Sequence, residues 1–163
     1  MFEIRDATAA DCGDMLTIYN EIVSTSTAIF SDTPRSPEQQ EYWFEDRTAN
    51  DLPVLVAVEA SQIVGFGSYG QFRTWPGYRN TVENSIYLAP TARKRGYGTA
   101  LLSALIERAT QAKLHTMIAG IDGENLGSMR LHEKLGFTRA AHLKEVGRKF
   151  DRWLDLMFYQ RML

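Results

Sequence analysis

The segment Arg93-Lys94-Arg95-Gly96-Tyr97-Gly98-Thr99 sets three cations and two glycines directly ahead of an apolar-periodic stretch. That composition suits the capture of an anion. A helix N-terminus presents N–H groups with no intrahelical partner and the positive end of the helix dipole. Glycines let the backbone turn those groups toward one guest and let the guest come close, and a pyrophosphate is the group expected there. The GK[ST] ending of a P-loop is absent. Gly96 and Gly98 do match the first two glycines of the dinucleotide pattern GxGxxG, with Asp122 at about the ribose-binding distance of 20 residues. Leu101 then occupies the third position, where close helix–strand packing needs a small residue. The plainer alternative is a tight turn before an ordinary helix with a basic cap.

Glu83 is the second candidate. Strand alternation over Thr81 to Leu88 puts Val82, Asn84, Ile86 and Leu88 on one face and Glu83, Ser85 and Tyr87 on the other. A carboxylate in mid-strand is costly to bury without a partner, so it is either functional or paired on an exposed face. Just before it, Arg73, Trp75, Tyr78 and Arg79 make a cationic and aromatic loop. A guanidinium there matches a carboxylate as a planar, two-pronged partner, although any of these cations could also be plain surface charge. His132 reads most simply as a surface histidine near a helix end, where the dipole favours it. Cys12 opens a helix, a place where a thiol pKa can drop, but no histidine is near it in sequence and it is read as structural.

These groups must be positioned by elements the chain spells out. Phe2 to Arg5 reads as a strand, followed by a helix that Thr8 or Asp11 caps, with Met15, Ile18, Tyr19, Ile22 and Val23 on one face. A Ser/Thr-rich loop runs from Thr25 to Pro34. Ser36-Pro37-Glu38-Gln39 is a capping box opening a helix that carries Tyr42, Trp43 and Phe44. Val54 to Val58 and Ile63 to Phe72 form a hairpin, Thr81 to Leu88 the next strand, and Thr99 to Ala112 a helix. Lys113 to Ile121 is a strand; Asn125 caps a helix that Gly136 ends in a left-handed conformation. Phe137 to Leu143 and Trp153 to Leu163 are the final strands. Hairpins early and helical crossovers late predict a mixed sheet in a three-layer α+β domain.

The chain has 163 residues, 44% of them hydrophobic and 23% charged, which predicts one domain over 1–163 and excludes whole-chain disorder. Size scaling gives a folded surface of about 8,200 Å². With 18 Lys+Arg against 20 Asp+Glu the net charge is −2, which argues against a nucleic-acid partner. One cysteine excludes an intrachain disulfide and a four-cysteine zinc site, and the three histidines lack HExxH spacing, so no metal is expected. Neither a secretory signal nor a membrane-length apolar run is read, so no membrane and a cytoplasmic setting are expected.

The R-x-x-G-x-G loop after a strand, and NLGSMRLHEKLGF over 125–137, resemble the two signatures of the GNAT superfamily of N-acetyltransferases. STSTAIF, FRTWPGYRNTVENSIYL, RLHEKLGF and GRKFDRWLDLMFYQ, in that order, are most similar to the phosphinothricin and methionine sulfone/sulfoximine N-acetyltransferases. Asn84 and Leu88 depart from the His or Ser and the Val that relatives often carry.

The resemblance implies a three-layer α/β/α domain with a mixed, mostly antiparallel central sheet. It also implies direct acetyl transfer from acetyl-CoA to the α-amino group of a small amino acid or analogue. Glu83 would be the base and His132 part of its machinery. Ile86, Tyr87 and Leu88 would pair with the pantetheine arm, and Arg93, Lys94, Arg95, Gly96, Tyr97, Gly98 and Thr99 would hold the pyrophosphate. Asn125 and Lys134 would add further CoA contacts. Phe30, Arg73, Thr74, Trp75, Asn84 and Ser85, with Glu83, would line the acceptor site. A homodimer is implied, to which the aromatic C-terminal segment of Phe150, Trp153, Phe158 and Tyr159 would contribute. Acetylation of a protein N-terminus or polyamine, or a non-catalytic CoA or dinucleotide sensor, are the alternatives.

Overall fold

A computed structural model describes residues 1–163. In chain order the main elements are β1 Phe2–Asp6, α1 Cys12–Thr25, α2 Pro37–Ala49, β2 Val54–Glu59, β3 Gln62–Gln71, β4 Thr81–Leu88, α3 Tyr97–Gln111, β5 Thr116–Asp122, α4 Leu126–Lys134, β6 Thr138–Lys149 and β7 Arg152–Met162. The strands form one seven-stranded sheet in the order β1-β2-β3-β4-β5-β7-β6, antiparallel everywhere except between β4 and β5.

The capping signals act as expected. Ser36 accepts the Gln39 N–H at 3.2 Å while the Gln39 side chain accepts the Ser36 N–H at 2.8 Å. Asn125 accepts the Ser128 N–H at 3.1 Å, and Gly136 turns the chain at φ 84°. At the first junction Asp11 takes both prongs of Arg5 (2.7 and 2.9 Å) and the Thr8 N–H, which holds its carboxyl down at about 2.

Alternation along the strands divides the interior in two. Leu55, Ala57, Val82, Met117, Ala119 and Ile121 meet Leu101, Leu102 and Leu105 of α3 and Met129 of α4 in one buried cluster. Val54, Val56 and Phe66 meet Cys12, Met15, Ile18 and Ile22 of α1 and Phe44 of α2 in the other. The sheet is therefore the middle of three layers. Cys12 is a buried member of the second cluster, where burial raises its thiol pKa.

Three boundaries differ from expectation by more than one residue. β5 begins at Thr116 rather than Lys113, which at φ 57° still belongs to the turn after α3. α3 begins at Tyr97 rather than Thr99, because Gly98 is already helical and, of the two glycines, only Gly96 takes the left-handed turn (φ 92°). β6 continues past Leu143 to Lys149 through register shifts and a positive φ at Glu145 (52°). It forms with β7 an arm whose outer strand is nearly all exposed. The arm helps explain a surface of 9362 Å², larger than size scaling gives. At its tip Lys149 is 1% exposed, and its ammonium donates to the carbonyls of Val23 (2.6 Å), Ser26 (2.7 Å) and Ile29 (2.9 Å). The arm is thereby tied to the end of α1 and to the loop that follows. Of the four C-terminal aromatics, Tyr159 is core and Phe158 half-buried, whereas Phe150 and Trp153 stay exposed.

Candidate active site

β4 and β5 run parallel only over Thr81–Glu83 against Thr116–Ile118; beyond that point they diverge. From Asn84 to Leu88 β4 keeps its bonds to β3 on one edge and has no strand on the other. Backbone N–H and C=O groups left open in the middle of a sheet invite an amide-bearing chain to pair with them as a strand would. Ile86, Tyr87 and Leu88 lie on that edge. The Tyr87 ring packs against Phe66 (4.9 Å between centroids) and Tyr19 (5.4 Å), so its contribution toward a ligand is backbone.

The basic loop follows at the mouth of the divergence. Lys94 (φ 61°) and Gly96 both take the left-handed conformation, and the first helical bond runs from the Ala100 N–H to the Gly96 carbonyl (3.1 Å). The amides just before it are free to face an anion. Arg93 and Lys94 are exposed, whereas Arg95 pairs with Glu59 at 2.9 Å. Tyr97, expected beside the cofactor, buries its side chain instead: it is 1% exposed and its ring meets Phe2 edge-on at 4.7 Å. Gly98 also faces inward, since a Cβ there would lie 3.2 Å from Leu131 and 3.4 Å from Leu88. Thr99 is half-buried, Lys134 is exposed in the last turn of α4, and the Asn125 carbonyl oxygen is occupied by capping. These residues fit a phosphate-bearing thioester carrier: free amides for the phosphates, an open strand edge for its amide arm.

Glu83 and His132 stand on opposite faces of β4. Glu83 is half-buried beside β5, close enough that a Cβ on Gly120 would be 2.9 Å from its Oε1. Burial raises its carboxyl pKa and the charge of Arg73 opposes that. His132 is 3% exposed, which overturns the surface-histidine alternative weighed from the sequence. Its Nδ1 lies 2.8 Å from the Ser128 carbonyl, which can only accept, so Nδ1 carries a proton. Its Nε2 lies 3.1 Å from Asn84 Oδ1, while Asn84 Nδ2 donates to the Ile118 carbonyl at 3.2 Å. All of these groups are satisfied together only when Nε2 is protonated too; burial pulls the other way and lowers the imidazole pKa. Asn84, expected among the acceptor contacts, thus faces away from Glu83 and bonds to His132.

On the Glu83 face lies a cavity of about 280 Å³ lined by Glu83, Ser85 and Tyr87 of β4 and by Arg35, Trp43 and Arg47. Arg73, Thr74 and Trp75, expected to line the acceptor site, are exposed in the loop after β3 and do not line this cavity; Trp75 is 74% exposed, and Arg73 spends one N–H on the Phe72 carbonyl (2.8 Å). Phe30 is partly exposed; its ring lies over Gly147 of the arm. Arg35 and Arg47 were not among the residues read from sequence. The one local signal is that Trp43 and Arg47 are a helical turn apart on α2.

The profile of the Acetyltransferase (GNAT) family matches residues 15–137. An L-methionine sulfoximine/L-methionine sulfone acetyltransferase of Pseudomonas aeruginosa is 44% identical over 158 residues, covering 96% of this chain and 92% of that one. A phosphinothricin acetyltransferase of Sinorhizobium meliloti, solved in complex with acetyl-CoA, superposes with a TM-score of 0.97 at 40% identity, covering 99% of this chain and 88% of that one. A ribosomal-protein-alanine N-acetyltransferase of Brucella melitensis does so with a TM-score of 0.97 at 45% identity, covering 99% of both chains.

Proposed function

The chain belongs to the GNAT family of acetyltransferases and uses acetyl-CoA, and on that premise we propose that it acetylates the α-amino group of a small free amino acid or analogue of the methionine sulfone, methionine sulfoximine or phosphinothricin type. The observation that carries this reading is the cavity of about 280 Å³ with Glu83 at its edge and arginines around it. It has the size and charge for a compact amino acid. Acetyl-CoA supplies a thioester carbonyl. The free amides from Lys94 to Thr99 would hold its phosphates, and the open edge at Ile86 to Leu88 its amide arm.

Glu83 takes the proton from the attacking amine, directly or through water. Its raised pKa keeps it basic enough for that task at neutral pH. On this reading Arg73, whose charge acts on Glu83, swings in to clamp the α-carboxylate of an acceptor whose nitrogen sits at Glu83. His132 bonds to Asn84 and not to the Glu83 face, so on this reading it acts by holding Asn84, and with it β4 beside the base, rather than by carrying a proton. We read the molecule as one domain and as a cytoplasmic homodimer, with Val146, Phe150 and Trp153 at 55%, 53% and 59% exposure available for the interface. A monomeric mass in light scattering at micromolar concentration would overturn the dimer.

The name of the Brucella relative favours one second reading, a peptide N-terminus as acceptor. A screen of acetyl-CoA consumption over free amino acids, their sulfone, sulfoximine and phosphinic analogues, and the corresponding amides separates the two. A free acid should exceed its amide in kcat/KM by tenfold or more, because the amide leaves Arg73 without a counter-charge. Equal rates would give the acceptor to the peptide reading.

A further inference from the structure

Arg47 is a half-buried cation with almost nothing to hold it. Its Nε is buried without a hydrogen-bond partner, and its one neighbouring carboxylate, the adjacent and largely exposed Asp46, is 3.9 Å away. Its guanidinium rests on the bare backbone of Gly70, where a Cβ would come within 2.8–2.9 Å of three guanidinium atoms. Gly70 is therefore the space in which the charge lies. Arg35 brings a second cation beside it, 3.8 Å over the Tyr19 ring and 5.4 Å from the Trp43 ring that Arg47 also approaches (5.7 Å). Arg35 is held in place: its Nη1 donates to Gln40 at 2.7 Å, and its backbone N–H and carbonyl are bonded by the Asn20 side chain at 2.8 and 2.9 Å. Two guanidinium groups thus share one aromatic shelf, with no carboxylate lining the cavity except Glu83.

A desolvated guanidinium facing a cavity is compensated by whatever anion or polarised oxygen the cavity takes in. Gly70 is the direct cross-strand partner of Glu83, so the Arg47 head lies about one strand spacing, roughly 5 Å between backbones, from the residue that receives the amine. A few bonds of an amino-acid side chain cover that distance. We propose that Arg47, supported by Arg35, is a second oxygen-binding subsite of the acceptor pocket. It grips a distal group bearing two acceptor oxygens, such as a sulfone, sulfoximine, phosphinate or carboxylate, while the amine lies at Glu83.

The inference rests on the acceptor reading above, and its test is arranged to fail separately. The kcat/KM values for methionine sulfone and for norleucine, which has similar reach but no distal oxygen, are compared in wild type, Arg47→Gln, Arg47→Lys and Gly70→Ala. Wild type should prefer the sulfone by about a hundredfold, the range of a charge-assisted two-pronged contact. Arg47→Gln should remove most of that preference through the sulfone KM, with norleucine and acetyl-CoA changed less than threefold. Arg47→Lys should restore little, and Gly70→Ala should mimic the loss by displacing the head if Arg47→Gln does not fold. Equal losses on both acceptors, or no preference in wild type, would overturn the subsite. If wild type acetylates neither compound, the acceptor reading fails on its own. Calorimetric titration of methionine sulfone into CoA-loaded protein then decides the subsite: binding lost in Arg47→Gln upholds it, and no binding in wild type overturns it.

Discussion

Glu83 and His132 lie back to back across β4, and burial displaces both, in opposite senses for the fold. The Glu83 carboxyl is raised, so the folded chain resists its ionisation; that contribution to stability is present below the ordinary glutamate range and is lost as pH rises through the raised value. Glu83→Gln should therefore lower kcat by about 10²-fold near neutral pH, with partial recovery at high pH where the amine is already deprotonated. The same variant should melt higher than wild type at pH 8 and lose that advantage by pH of about 4, as scanning calorimetry would register. His132 is lowered, so its contribution is present above about 6.5, the ordinary imidazole value, and is lost as pH falls through the lowered one. His132→Gln should flatten the fall of Tm as pH drops below about 6.5; an unchanged slope would mean that another group governs it. Glu83 was legible because strand alternation isolates a mid-strand carboxylate. The burial of His132 was not, since the Ser128 and Asn84 partners that occupy its two nitrogens come from a helix turn and a distant strand.

The basic loop joins β4 to α3, and its two glycines do different jobs. Gly96 carries the positive φ, while Gly98 is an inward-facing helical residue. Sequence shows a glycine pair but not which member makes the turn. Gly96→Ala should let the free loop relax to another shape that binding must then reverse; holding an L-residue left-handed costs about 1–2 kcal/mol. The acetyl-CoA Kd should rise by about tenfold, measured by calorimetry, with little change in Tm. An unchanged Kd would detach the loop from the phosphates. Most element ends were readable because caps are local: Ser36 with Gln39, Asn125, Gly136. The extension of β6 to Lys149 was not, because Lys144-Glu145-Val146-Gly147 is bulged and solvent-facing, and no buried face imposes alternation there.

At the scale of the whole molecule, the cavity beside Glu83 is assembled from segments far apart in sequence: Arg35 before α2, Arg47 near its end and Glu83 on β4. Helix periodicity says that α2 packs, not which strand its arginines will overhang, so this part of the site could only come from the fold. The tie at Lys149 has a consequence for the protein as a chemical target. An enzyme that works among thioesters exposes its own lysines to spontaneous acylation, and the free amine is the reactive form. Lys94, Lys113, Lys134 and Lys144 are exposed, whereas all three ammonium hydrogens of Lys149 are engaged by carbonyls. Under limiting acetic anhydride, peptide mass spectrometry should find Lys149 modified last, by tenfold or more. Its labelling would time how often the arm lets go of the loop beneath it, and early labelling would mean the tie does not hold in solution.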